Sequence, residues 1–184
     1  MKVISSKTVY QGRIFRLDKD IIQLGKNTIT REIIHHPGSS LMLPVLDIKK
    51  KIIVMISQYR YAAGSDILEF PAGTKDKGES YRTCALRELT EETGYKADKI
   101  SEVSRFFLAP GTMTEVMAMF ACTKLVKKEQ NLMPDEKIRT FTTSLDRAIK
   151  MIFSGRIKDA KTIAGVLTLK EIYADKRLQK KHLA

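Results

Sequence analysis

Cysteine is scarce in this sequence: Cys84 and Cys122 are the only two in 184 residues. That is too little for a disulfide framework, and both are expected as small buried hydrophobes. Long apolar runs are absent too. The longest, "VMAMFAC" at 116–122, falls well short of the roughly 20 residues a helix needs to cross a bilayer. This excludes a membrane partner of that kind. The opening "MKVISSKTVY" carries no apolar core of a secretory leader, so a cytoplasmic location is expected. No internal repeat or low-complexity segment occurs, which removes solenoid architectures. A stripe of interleaved basic and aromatic residues, the usual platform for single strands, is also missing and argues against nucleic acid as the partner.

What the sequence has in excess is positive charge: 33 Lys and Arg against 21 Asp and Glu, a formal net charge of +12. Long-range attraction then favours an anionic partner, either nucleic acid or a phosphorylated small molecule, and charge alone does not choose between them. A hydrophobic fraction of 43% and the chain length suit one well-buried soluble domain plus a smaller appendage.

Residues 1–40 read as that appendage, an antiparallel sheet. "RIFRLDKDIIQL" and "TITREIIHH" are strands joined at "GKN", and such a hairpin buries little alone, so it needs the main domain or a second subunit to cover it. Residues 41–184 form the second unit. Strands are expected at 41–46 and 52–56, in "RFFLAP" and in "EVMAMFACTKL", with a helix over 80–93 ended by Gly94. "TSLDRAIKMIFSG" has apolar residues at helical spacing, with Thr143 and Asp146 as a capping box, and a last helix starts near Asp159. Strands interleaved with a few helices define an α/β class with a mixed sheet.

Within this basic chain, "GTKDKGESYRTCALRELTEETGY" (73–95) crowds Glu88, Glu91 and Glu92 together, with Glu79 upstream. On a helix, Glu88 and Glu92 lie about 40° apart and Glu91 about 60° to the other side of Glu88, so all three share one side. In open water such neighbours repel by under roughly 1 kcal/mol and make a tolerable surface; in a cleft of dielectric near 20 each contact costs about 3 kcal/mol and demands a counter-cation. Hard divalent ions supply that charge through oxygen ligands. Composition leaves both readings open.

The spacing does more. Gly73, five residues, Glu79, seven residues and then "RELTEETGY" resembles the signature of the Nudix hydrolases at every fixed position, with Tyr95 in place of the usual aliphatic residue. The resemblance implies an α/β/α sandwich and a loop-helix-loop in which Glu88, Glu92 and the carbonyl of Ala72 bind Mg²⁺ or Mn²⁺. Glu91 would assist, Arg87 tie the motif together, and Glu79 hold the loop or join the metal site. Its flanks, "QYRY", "LEFPAG", "LAPGTMTE", "PDEKI" and "GRIKDAKTIAGV", resemble the ADP-ribose pyrophosphatase and nucleoside-diphosphate-sugar hydrolase branch over about residues 10–172.

Carried onto this sequence, that branch implies phosphate contact by Arg60, a ribose-side hydrogen bond to Glu115, and Arg31 reaching the site of a partner subunit in a homodimer. Glu136, beside Asp135 and Pro134, would bind a further cation or activate the attacking water. The activity implied is hydrolysis of the pyrophosphate bond of ADP-ribose or a similar nucleotide sugar. Two rival readings are an RNA 5′-end or dinucleoside polyphosphate hydrolase, and a non-catalytic ligand sensor. His35 and His36 would be structural, because neighbours on a strand face opposite ways and do not chelate one ion.

Overall fold

The computed structural model describes residues 1–134 and 136–184; Asp135, one of the acids named above, lies outside them. A three-stranded antiparallel sheet comes first, built of β1 (Lys2–Gln11), β2 (Arg16–Leu24) and β3 (Asn27–His35) in that order. The β2–β3 turn falls at Gly25, where "GKN" placed it. Every residue of β1 is exposed, and Val3, Ile4, Val9 and Tyr10 stand among the uncovered apolar side chains. The sheet joins the rest of the chain at the end of β3. There Ile34 exchanges two backbone hydrogen bonds with Thr112 and Thr114, each 2.9 Å.

A mixed seven-stranded sheet follows. Its strands are β4 (Ser39–Asp47), β5 (Ile52–Arg60), β6 (Ser65–Glu69), β7 (Ala72–Thr74), β8 (Tyr95–Phe107), β9 (Val116–Lys127) and β10 (Ile138–Ser144). The main path runs β10-β5-β4-β9-β8, with β6 on β5 and β7 on β4; the β4–β9 pair is parallel. β4 sits centrally and is buried from Ser39 to Val45. Its alternation sorts the core into two layers. Leu41, Leu43 and Val45 pack with α2 (Leu145–Phe153) and α3 (Ala160–Ala174), while Met42 packs with Ala85 and Leu89 of α1 (Tyr81–Thr93). Each fully buried Leu, Val or Met among these contributes roughly 1.5–3 kcal/mol through removal of apolar surface from water. The α/β/α sandwich and the small N-terminal sheet expected from the resemblance are both present.

Three local expectations need correction. The cap of α2 is Ser144, whose hydroxyl accepts from Arg147 N, so the helix starts one residue later than the Thr143–Asp146 reading and Thr143 lies within β10 instead. "RFFLAP" is not a separate strand: its first residues are the tail of β8, whose polar first half hid a strand that begins straight after Gly94. The last helix is two, α3 and α4 (Lys176–His182), with Asp175 ending one and capping the other. Cys84 and Cys122 are free and buried as expected, and burial pushes their thiols up to about 11 and about 12.

Candidate active site

Helix α1 is framed by local chemistry. Ser80 caps its start by accepting from Thr83 N, and Gly94 leaves it at φ 65°, a left-handed conformation that glycine adopts without penalty. A side chain at Gly94 would also meet the Lys128 carbonyl at 3.0 Å. That carbonyl belongs to a segment fastened to the helix end: Lys128 N donates to Gly94 O, Asn131 N to Glu91 O, and the Gln130 side chain to Glu92 O.

Arg87 organises the acids. Its Nε and Nη2 donate to the two Glu79 oxygens at 3.1 and 2.9 Å, and its Nη1 donates to Glu88 at 2.8 Å and Glu91 at 3.1 Å. Glu79 also accepts from Asp76 N. Of its two sequence-derived roles it plays the loop-holding one here, and the Arg87 fork holds its carboxyl below the usual carboxylate range. Glu79 foremost, and then Glu88, hold the Arg87 guanidinium firmly protonated.

Glu92 is left out of this arrangement. It is 3% exposed and accepts from Ala72 N at 3.0 Å, with no cation in contact among the described residues. Burial above all, then the charge of Glu88, pushes its carboxyl well above the ordinary glutamate range. Glu88 is raised as well, by burial first, and Glu136 adds to the repulsion on both. An ideal Cβ on Gly73 would stand 1.9 Å from Glu88 Cδ. Only glycine leaves room for that carboxylate beside the β7 backbone.

Two crowded carboxylates next to a backbone segment are a hard-oxygen donor set of the kind that suits Mg²⁺ or Mn²⁺. Among the described residues no three Asp, Glu, His or Cys side chains converge as a ready-made trio. The residues therefore fit a divalent ion as an open pair completed by backbone and substrate oxygens rather than as a closed cage.

The other sequence-derived candidates fall into two groups. Near the pair, Arg60 contributes to the field at Glu92, and Glu136 accepts from Met133 N at 2.9 Å on the rim of a groove lined also by Tyr59, Ile138 and Arg139. Glu115 is buried where the two sheets meet. It accepts from Ser39 Oγ at 2.6 Å and lies 3.7 Å from His36 Nδ1. Arg31 stands apart, exposed on β3, with Thr30 O as its partner. His35 and His36 diverge to Asp18 and Glu115, as the strand alternation requires. Sequence reasoning missed Glu69, Lys161 and Gln130. The signal for Glu69 was an acid set between apolar neighbours in "ILEF" (67–70).

The fold and this site define a Nudix protein: the NUDIX domain family model matches residues 35–165, and the chain belongs to that family. Among its relatives are the methanol dehydrogenase activator of Bacillus methanolicus, 36% identical over 168 residues (90% of each chain), and the ADP-ribose pyrophosphatase of Bacillus subtilis, 34% identical over 175 residues (92% of this chain, 94% of the relative). A GDP-mannose pyrophosphatase of Escherichia coli is 28% identical over 147 residues, covering 72% of this chain and 76% of the relative. The crystal structure of an ADP compounds hydrolase superposes with a TM-score of 0.82 over 96% of this chain and 97% of its own, at 19% identity, which shows the shared fold.

Proposed function

We propose that this chain is a Nudix pyrophosphohydrolase that splits the pyrophosphate bond of ADP-ribose or a related nucleoside diphosphate sugar, giving a nucleoside monophosphate and a sugar phosphate. One observation carries the reading: Glu92 is buried with no cation in contact among the described residues, and the half-buried Glu88, given room by Gly73, adds its charge there. A divalent cation, Mg²⁺ or Mn²⁺, would be held by Glu88, Glu92 and the Ala72 carbonyl, with Glu136 as a further ligand. When bound it supplies counter-charge to the diphosphate and Lewis-acid polarisation. Relatives named for ADP-ribose and GDP-mannose support the substrate class.

Within that reading the side chains divide the work. Arg60 contacts the diphosphate and opposes the charge that accumulates as the P–O bond breaks. Glu136 either holds the further cation or takes the proton of the attacking water, with Glu91 assisting from the same helix, and Glu115 holds the ribose side. Residues 1–40 form a dimerisation sheet and 41–184 the catalytic domain. In the homodimer the uncovered apolar side chains of β1 would be buried and Arg31 would reach the partner's site. The enzyme would work in the cytoplasm; no helix among the described residues is long and apolar enough to cross a membrane.

A panel of ADP-ribose, GDP-mannose, dinucleoside polyphosphates and triphosphorylated RNA, each with Mg²⁺ or Mn²⁺, tests the activity. ADP-ribose or another nucleotide sugar should be cleaved to two monophosphates at least tenfold faster than the rest. Preferential cleavage of RNA ends would overturn the substrate class, and ligand binding with no metal-dependent cleavage would favour a sensor. Light scattering should give twice the chain mass. A monomer that keeps its activity after deletion of the hairpin would remove the dimer.

A further inference from the structure

Glu69 ends β6 at 2% exposure, a position where an ionised carboxylate is costly unless it is paired and hydrogen-bonded. Arg60 pairs with it side-on: Nε donates to Oε1 and Nη2 to Oε2, both at 2.7 Å. Lys161 Nζ donates to the same Oε2 and, at 2.9 Å, meets Asp159 Oδ1. Asp159 is the cap of α3, accepting from Thr162 N, and Thr162 Oγ1 in turn accepts from Phe70 N at 2.8 Å. Glu69 and Phe70, neighbours in sequence, are thus both stitched to the first turn of α3.

The pairing fixes more than charge. A guanidinium is planar, and engaging Nε and Nη2 sets its plane while leaving Nη1 without a partner among the described residues. Arg60 is 39% exposed at its side chain, whereas the carboxylate that holds it is almost wholly covered. The group is therefore gripped from within and presented outward, beside Glu92, whose field it feels.

We propose that Glu69 is a positioning residue for hydrolysis: it sets the Arg60 fork so that the free Nη1 edge meets the diphosphate, and Lys161 braces Glu69 from α3. This rests on the reading of Arg60 as the phosphate contact. A buried pair that merely supports the fold would affect catalysis equally whether or not Arg60 is present. The two roles are separated by a double-mutant cycle.

The variants are Glu69→Gln, Arg60→Met and the pair together, assayed for kcat/KM with ADP-ribose and for thermal unfolding. Glu69→Gln should lower kcat/KM on the order of 10- to 100-fold, the range seen when an outer partner orienting a functional group is removed. Arg60→Met should lower it at least as much, and the double variant should be no worse than Arg60→Met alone. If Glu69→Gln fails to fold because Lys161 keeps only Asp159 as its partner, Glu69→Gln with Lys161→Met removes both charges of that pair and enters the cycle instead. An equal Glu69 effect in both backgrounds, or none in the wild-type background, overturns the positioning role while leaving Arg60 as phosphate contact. An Arg60→Met variant with unchanged kcat/KM overturns that assignment and this inference together.

Discussion

Glu92→Gln is expected to abolish turnover, by on the order of a thousandfold or more, in a protein that still folds. The size follows from removing a ligand whose cation is worth several kcal/mol to the transition state, at 1.36 kcal/mol per tenfold in rate. The preserved fold follows from geometry, because glutamine keeps an oxygen to accept from Ala72 N and fills the same buried volume. Stability of the metal-free protein should not fall. Burial and Glu88 raise the folded pKa of Glu92 above its unfolded value, so the native state keeps a proton that the unfolded chain releases, and stability declines as pH rises from about 4.5 through the folded value. Above that window the wild type carries the full penalty of an ionised buried acid, and the glutamine variant carries none. Thermal melts of both proteins in chelator across pH 4 to 8 should therefore converge at low pH and separate in favour of the variant at high pH. Wild-type-like turnover in the variant would refute the assignment of Glu92.

Gly73→Ala should be nearly as damaging to activity, by a different route. The added Cβ would lie 1.9 Å from Glu88 Cδ and 2.0 Å from its Oε1, distances that no pair of atoms tolerates. What must move is the far end of a flexible side chain, so β7 and the core need not shift, and the variant should melt within a few degrees of wild type. Glu88 must leave its place beside the backbone, however, and a misplacement of about 1 Å can cost on the order of 100-fold. A drop of that size in kcat/KM, partly recovered at high Mn²⁺, is the expected result. Unchanged activity would show that the Glu88 position does not matter.

How much of this could be read before the fold was known depended on how local the information was. The span 73–95 is a self-contained loop and helix, with its cap at Ser80, its stop at Gly94 and its acids on successive turns, so spacing was enough to point to the candidate site. Arg60 was reachable through "QYR", but its setting was not. Glu69 comes nine residues later and Lys161 a further 92 away, and only the β5–β6 pairing and the packing of α3 bring the three together. Helix geometry put Glu88, Glu91 and Glu92 on one side without showing which of them is buried. The structure separates them: Arg87 donates to Glu88 and Glu91, while Glu92 is buried and accepts from Ala72 N. The first half of β8 was missed because an edge strand with one exposed face reads as polar, and the α2 cap because two adjacent hydroxyls, Thr143 and Ser144, offered the same signal.

In the proposed mechanism Glu88 and Glu92 hold the divalent ion that grips a diphosphate. Titrating Mn²⁺ into the protein with a non-hydrolysable ADP-ribose analogue, followed by electron paramagnetic resonance, tests it directly. Saturable binding is expected in the wild type and should be lost in Glu88→Gln/Glu92→Gln while the fold persists. Binding of undiminished strength in that double variant, or none in the wild type, would contradict it.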